Sequence, residues 1–432
     1  MTMTAAPPGN AVTVYADSVI AGEVLAGRLV RLACARHLRD LEEGAARGLW
    51  FDEAAAARAT DFFRLGLKLA EGDFAGQPFI LQPWQAFIVG SLFGWKGADG
   101  YRRFRRAYVE AGKGSGKSPL AAGIGLYCLI ADNEAAAEVY AAAVTRDQAK
   151  ISFNDALRMV EASPNLSRKI EVLTNNLRVR ASGSFFRPVS SEARALDGKR
   201  VHCALIDEIH EHRDDIVVEK MRAGTKGRRQ ALIFEITNSG YDRESICFHE
   251  HEYSAKILEG IIANDAWFAY VCQLDACEKC RAEGKLSPSE DCAECDDWRD
   301  ESVWLKANPS LGVTPGLKYL REQVEEAVGM PSKRSMVQRL NFCIWTSSVT
   351  RWLNPDLWEM GSLPPPRPLD GRPCYAGLDL SSTTDITALD LWFPDPDDPG
   401  EAGEAGGGDV LCFSFVPEDS IIERSRNDGV PY

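Results

Sequence analysis

The sequence predicts an α/β protein organised on a doubly wound parallel sheet, and three stretches carry that expectation. Phe104 to Glu110 is an apolar-leaning run that reads as a strand; a glycine-rich turn follows, and a small-residue helical pattern opens at Ser118. VHCALIDEIHEH, from Val201, begins with residues that can be buried on both faces, as in a central parallel strand, and closes on two acids. QALIFEITNSG, from Gln230, is another buried run with small polar residues at its tip. This order belongs to an open sheet whose ligands sit beyond the C-terminal ends of its strands.

Residues 1–60 read as a helical lead-in, with mixed-charge periodicity from Val19 to Gly48 and an Ala-rich face in Asp52 to Glu71. Residues 61–271 then hold the sheet. In GQPFILQPWQAFIVGSLFGW, Gln85 beside Trp84 sits in what reads as a fixed turn, where its two-faced amide suits an adenine edge; a buried structural glutamine is the alternative. After the glycine-rich turn come a strand at Glu138 to Val144, a helix at Asp147 to Ala162, and short strands at Lys169 to Leu173 and Leu177 to Ala181. The polar segment SSEARALDGKR, from Ser190, precedes the acidic strand. An arginine there, Arg194 first, could reach a neighbouring subunit's phosphates; a plain surface arginine is the alternative.

The turn AGKGSGKS, from Ala111, ends in Gly116-Lys117-Ser118. Gly114 and Gly116 allow backbone N–H groups to converge on one spot at a helix N-terminus, which binds phosphate; Lys117 adds a point charge and the Ser118 hydroxyl a magnesium ligand. Ala111 stands where the common spacing has glycine. Asp207 would hold magnesium and Glu208 polarise the attacking water. Thr237 and Asn238, on the third strand tip, would sense the γ-phosphate. Together these define a P-loop NTPase of the additional-strand type that binds and hydrolyses ATP.

Composition bounds the rest. The 432 residues carry a formal charge of −14, with 45% hydrophobic and 26% charged residues, which describes a globular chain without a general basic coat. Arg102, Arg103, Arg105 and Arg106 are a candidate local basic surface. Most of the 12 cysteines are scattered, which suits a reducing cytoplasm, and neither a signal-peptide pattern nor a membrane-length apolar run is visible. Four cysteines do cluster. Cys277, Cys280, Cys292 and Cys295 form two CxxC pairs in residues 272–298, expected to bind one structural zinc.

Residues 299–372 read as turns around KANPSLGVTPG, helices at Leu317 to Val328 and Lys333 to Leu340, and a proline-rich linker. Residues 373–432 open with CYAGLDLSSTTDITALDLWFP, a hairpin with Asp379 inside its first strand. A carboxylate there is costly unless it binds something, and it matches the first metal-binding aspartate of a ribonuclease-H-like nuclease. Asp385 and Asp390 are secondary candidates.

PWQAFIVGSLFGW, the Lys117 loop, LIDEIHEH, ANPSLG and GLDLSSTTD together make the chain resemble the large terminase subunit of tailed double-stranded DNA phages. The resemblance implies an ATP-driven motor that packages DNA into a capsid and cuts it with a ribonuclease-H-like domain. It assigns adenine contact to Gln85, phosphate to Lys117 and Ser118, magnesium and water activation to Asp207 and Glu208, coupling to Thr237 and Asn238, and magnesium or manganese to Asp379. It also implies a ring on the capsid, a portal protein, a small terminase subunit and the bacterial host cytoplasm. Three departures stand out. Lys113-Gly114-Ser115 replaces Arg-Lys-Asn, Thr237-Asn238-Ser239-Gly240 replaces Thr-Thr-Ala-Gly, and the sequence ends at Tyr432 without the further acids such a nuclease needs. The nuclease is therefore expected to be incomplete and inactive in this chain. A helicase-like DNA translocase without a capsid role, or a non-catalytic nucleotide-dependent assembly module, is the alternative.

Overall fold

A computed structural model describes residues 11–190, 198–212, 214–289, 292–346, 368–380, 386–395, 397 and 406–415. The chain divides into two units, residues 1–351 and 352–432.

The first unit is built on eight strands: β1 (Arg106–Glu110), β2 (Glu138–Ala143), β3 (Glu171–Leu173), β4 (Asn176–Val179), β5 (Ser184–Ser190), β6 (Val201–Asp207), β7 (Leu232–Thr237) and β8 (Trp267–Val271). Their order in space is β8-β1-β7-β6-β2-β5-β4-β3. From β8 to β5 all neighbours are parallel, while β4 and β3 close the edge antiparallel. The predicted fold class is therefore found, and β7 is the extra strand, inserted between the strand that leads into the glycine-rich turn and the acidic strand. Its insertion sets Thr237 opposite Glu110, and Ile236 opposite Asp207.

Each face of the sheet follows from the two-residue side-chain period. On β1, Tyr108 and Glu110 meet Cys247 and His251 of the Ile246–Leu258 helix. Ala107 and Val109 point the other way. The Lys117–Ile130 helix packs closely on two sides where it has no side chain: a Cβ on Gly125 would come within 2.9 Å of Leu205 in the sheet, and one on Gly123 within 2.2 Å of Phe63 in the Phe62–Gly66 turn. A separate apolar cluster, including Trp298, Trp304, Leu320 and Phe342, forms the core under residues 274–344.

Two local readings are corrected. PWQAFIVGSLFG is a helix from Pro83 to Gly94, so Gln85 sits in a first helical turn rather than an irregular one; proline at the start and a Gln82/Gln85 capping box set that end. The arginines of YRRFRR are not a basic surface as a group. The Arg102 and Arg103 side chains are 1% exposed, Arg102 paired with Asp132 and Arg103 with Asp40 and Asp265. Arg102 lies over Phe93, and Arg103 over Trp95 and Phe104. No helix among the described residues is long and apolar enough to cross a membrane.

The second unit contains three antiparallel strands, Tyr375–Asp379, Thr387–Pro394 and Gly408–Phe415, in that order. The first two are the predicted hairpin, the opening strands of a ribonuclease-H-like domain. The third was not legible behind the glycine- and acid-rich run that precedes it.

Gly123 gives the sharpest stability test. Phe63 is fully buried between Phe62 and Phe79 and has no room to turn aside. Gly123→Val is expected to destabilise the first unit by about 1–3 kcal/mol through overpacking, read as a lower denaturation midpoint; an unchanged midpoint contradicts the packing described.

Candidate active site

The glycine-rich turn connects β1 to the Lys117–Ile130 helix. Gly114 and Gly116 take left-handed φ values of +84° and +85°, which side-chain-bearing residues adopt only at a cost. That conformation aims the unpaired N–H groups of the first helical turn into the cup. Lys117 folds back inside it: Nζ donates to Ala111 O (2.6 Å), Gly112 O (3.1 Å) and Asn238 Oδ1 (2.6 Å). The ammonium thus bridges the turn and the tip of β7.

The turn is gripped from outside by the segment read as turns, residues 307–314, and by the end of the predicted helix at Leu340. Gly112 N donates to Ala307 O, and Lys113 N to Leu340 O. Ser310 Oγ donates to Ser115 O, Thr314 Oγ1 to Gly114 O, and Trp84 Nε1 to Ser310 Oγ. Gly112 has no space for a Cβ, which would lie 2.2 Å from Asn308 Oδ1. Gln85 joins the same assembly. Its amide oxygen accepts from Gln82 N and its Nε2 donates to Gly116 O at 3.4 Å.

Asp207 ends β6 beside this turn. Ser152 Oγ donates to its Oδ2 at 2.7 Å and Ser118 donates to the same carboxylate, while Oδ1 is buried with no partner. Burial and neighbouring Glu208 raise the Asp207 pKa. Burial and then the Asp207 carboxylate push Asp155 up to about 6. An orphaned carboxylate oxygen beside a serine hydroxyl, with a second, half-buried acid nearby, is a donor set suited to a hard divalent cation such as magnesium. Ser152 and Asp155, one helical turn apart on Arg146–Ala162, were missed by the sequence reading; an acid on the buried side of an amphipathic helix was the available signal.

Glu208 follows at φ +50°, one of few non-glycine residues in the left-handed region. Its Oε2 lies 3.2 Å from His210 Nδ1. Thr237 Oγ1 donates to Asn238 O and accepts from His210 N. Lys117, Ser118, Asp207, Glu208, Thr237 and Asn238 therefore meet at one edge of the sheet. Arg194 lies outside the described residues.

The four cysteines come together: the Sγ atoms of Cys277, Cys280, Cys292 and Cys295 are all within 4.8 Å of one another. Cys277 N and Cys280 N donate to the sulfurs of Cys295 and Cys277. Four convergent thiols fit one tetrahedral metal. Salt bridges from Lys306 to Asp275 and Asp296 tie the base of this knuckle to the segment that grips the glycine-rich turn. A second grouping, Cys128, Asp132 and His202, is of a different kind because Arg102 already neutralises its carboxylate. In the second unit, Asp379 is exposed at a strand end and Asp390 pairs in register with Gly377; neither belongs to a ligand cluster among the described residues, and Asp385 lies outside them.

The family model for the ATPase domain of the terminase large subunit matches residues 83–256, and that for its endonuclease domain residues 289–399. Together they take in well over half of the chain. The large terminase subunit of Enterobacteria phage HK97 is 28% identical over 372 residues, covering 84% of this chain and 65% of that protein. Protein YmfN of Escherichia coli K12 is 27% identical over 260 residues, 60% of this chain and 51% of that one. The chain thus spans between half and two thirds of these relatives. The crystal structure of the HK97 large terminase shares the fold, with a TM-score of 0.56 at 23% identity over 87% of this chain and 71% of that one.

Asp155 yields a pH prediction. Its pKa is raised from 3.8 to about 6 on folding, so the folded state holds the proton more tightly. Stability should therefore fall as pH rises from about 4 through about 6, by up to about 3 kcal/mol. Asp155→Asn should remove that part of the decline and raise the denaturation midpoint at pH 7 in metal-free buffer. An identical pH profile in the variant refutes the assignment.

Proposed function

The chain belongs to the terminase large subunit family, and we propose that it is the ATP-hydrolysing motor subunit that moves viral double-stranded DNA into a capsid. The observation that supports this most directly is the convergence of Lys117, Asp207 and Asn238 on three adjacent strand tips around one phosphate cup.

In this reading the N–H groups of the glycine-rich turn and the Lys117 ammonium bind the β- and γ-phosphates. Ser118 and Asp207 hold magnesium, which would supply charge neutralisation to the phosphates. Gln85 borders the adenine. Glu208 accepts a proton from the attacking water as its oxygen bonds to the γ-phosphorus and the bond to the β,γ-bridging oxygen breaks, giving ADP and inorganic phosphate. Thr237 and Asn238 carry the state of the γ-phosphate away from the site, and Arg194 serves a neighbouring subunit in a homo-oligomeric ring. The portal protein and small terminase subunit are the partners, in the bacterial host cytoplasm. The knuckle binds structural zinc through Cys277, Cys280, Cys292 and Cys295, and Asp379 supplies one ligand of a magnesium- or manganese-dependent nuclease site. We assign a lead-in to 1–60, the ATPase to 61–271, the knuckle to 272–298, completing helices to 299–372 and the nuclease from 373, with the endonuclease-domain match reaching back to residue 289.

Two variants test the ATPase assignment. Lys117→Ala should abolish turnover. Glu208→Gln should still bind ATP but hydrolyse it ~100-fold more slowly, the scale of general-base assistance. Normal turnover by Glu208→Gln would remove the assignment. For the knuckle, metal analysis of purified protein should return about one zinc per chain, lost in Cys292→Ser together with thermal stability; metal-free protein with four freely alkylated thiols would contradict it.

A further inference from the structure

We propose that His210 is a positioning residue for Glu208, holding the carboxylate in line for water activation and tying it to the strand tip that reads the phosphates. The proposal rests on the reading of Glu208 as the base.

The backbone gives the first reason. Glu208 enters the short Ile209–Glu211 turn at φ 50°, ψ 52°. A left-handed glutamate costs about 1–2 kcal/mol, so neighbouring contacts must hold it there. The contacts run to Thr237. His210 N donates to Thr237 Oγ1 at 3.2 Å, and His210 Nδ1 lies 3.0 Å from the same oxygen. Thr237 Oγ1 also lies 2.8 Å from Asn238 O, so this one hydroxyl links the His210 ring to the next backbone carbonyl.

The second reason is how Glu208 meets the ring. Its Oε2 is 3.2 Å from Nδ1, yet makes no aligned hydrogen bond with any group. Nδ1 lies nearer to Thr237 Oγ1, at 3.0 Å, so proximity to the ring rather than a directed bond restrains the carboxylate. That restraint limits where Glu208 can lie while leaving it free to accept a proton. On its other side His210 Nε2 lies 3.2 Å from Glu211 Oε1. The ring side chain is only 5% exposed and so has little freedom to swing.

The third reason is continuity. Asn238, which follows Thr237, accepts from the Lys117 ammonium. A continuous polar path therefore runs Lys117, Asn238, Thr237, His210, Glu208. A polyphosphate that draws Lys117 off Asn238 changes the first link, and His210 is the last link before the base.

The experiment compares His210→Ala, His210→Asn and His210→Gln in the full chain, measuring kcat, KM for ATP, binding of a fluorescent ATP analogue and thermal midpoint. Glu208→Gln runs alongside. An asparagine amide nitrogen takes the place of Nδ1; a glutamine amide reaches instead toward Nε2. His210→Ala and His210→Gln should lose kcat by about 10- to 100-fold, the scale of a misplaced catalytic group, with KM and analogue binding changed less than ~3-fold. His210→Asn should recover most of the rate. Full kcat in His210→Ala beside a slow Glu208→Gln overturns the proposal and leaves the function standing. Parental turnover in Glu208→Gln removes the reading of the base, and this proposal with it. Should His210→Ala fold or bind poorly, the other two variants decide, and equal kcat in Asn and Gln overturns the role.

Discussion

A buried ammonium held by three neutral oxygens is the interaction on which the rest of this structure turns. Lys117 is 7% exposed, and Ala111 O, Gly112 O and Asn238 Oδ1 take its three hydrogens. Hydrogen bonds lower the cost of burying that charge, and a polyanion would lower it further. Much of the surroundings can be understood as keeping the arrangement in place. Glycines at 114 and 116 admit the curvature, β7 brings Asn238 within reach, and Asp207 stands one strand farther on with an oxygen unclaimed.

The parts of this site that the sequence disclosed are those carried by local rules. Gly116-Lys117-Ser118 opens a helix because left-handed glycine and a helix N-terminus are short-range features, and Asp207 ends its strand because an apolar run stops there. The register that sets Thr237 opposite Glu110 was not legible, since the position of β7 in the sheet depends on pairings distant in sequence. The grip of Ala307, Ser310, Thr314 and Leu340 on the phosphate loop escaped for a related reason. Two of the four act through backbone carbonyls, which leave no trace in residue type.

Arginines 102 and 103 show the opposite failure. Four basic residues in six positions suggest a charged surface, but their acids come from Asp40, Asp132 and Asp265, far away in the chain. Phe93, Trp95 and Phe104 supply ring faces, so the guanidinium groups lie inside a sandwich of aromatic and carboxylate groups. Charge density along a sequence says little about exposure once partners of the opposite sign arrive from other elements.

The clamp between Lys113 and Leu340 has a consequence for the order of events during synthesis. Translation delivers the glycine-rich turn early, but the Leu340 carbonyl that anchors Lys113 is made more than two hundred residues later. A growing chain can pair β1, β7 and β6 before that, yet the outer wall of the turn stays incomplete until Leu340 has cleared the ribosome. The last contacts that hold the turn in place therefore form late, when the distant segment docks.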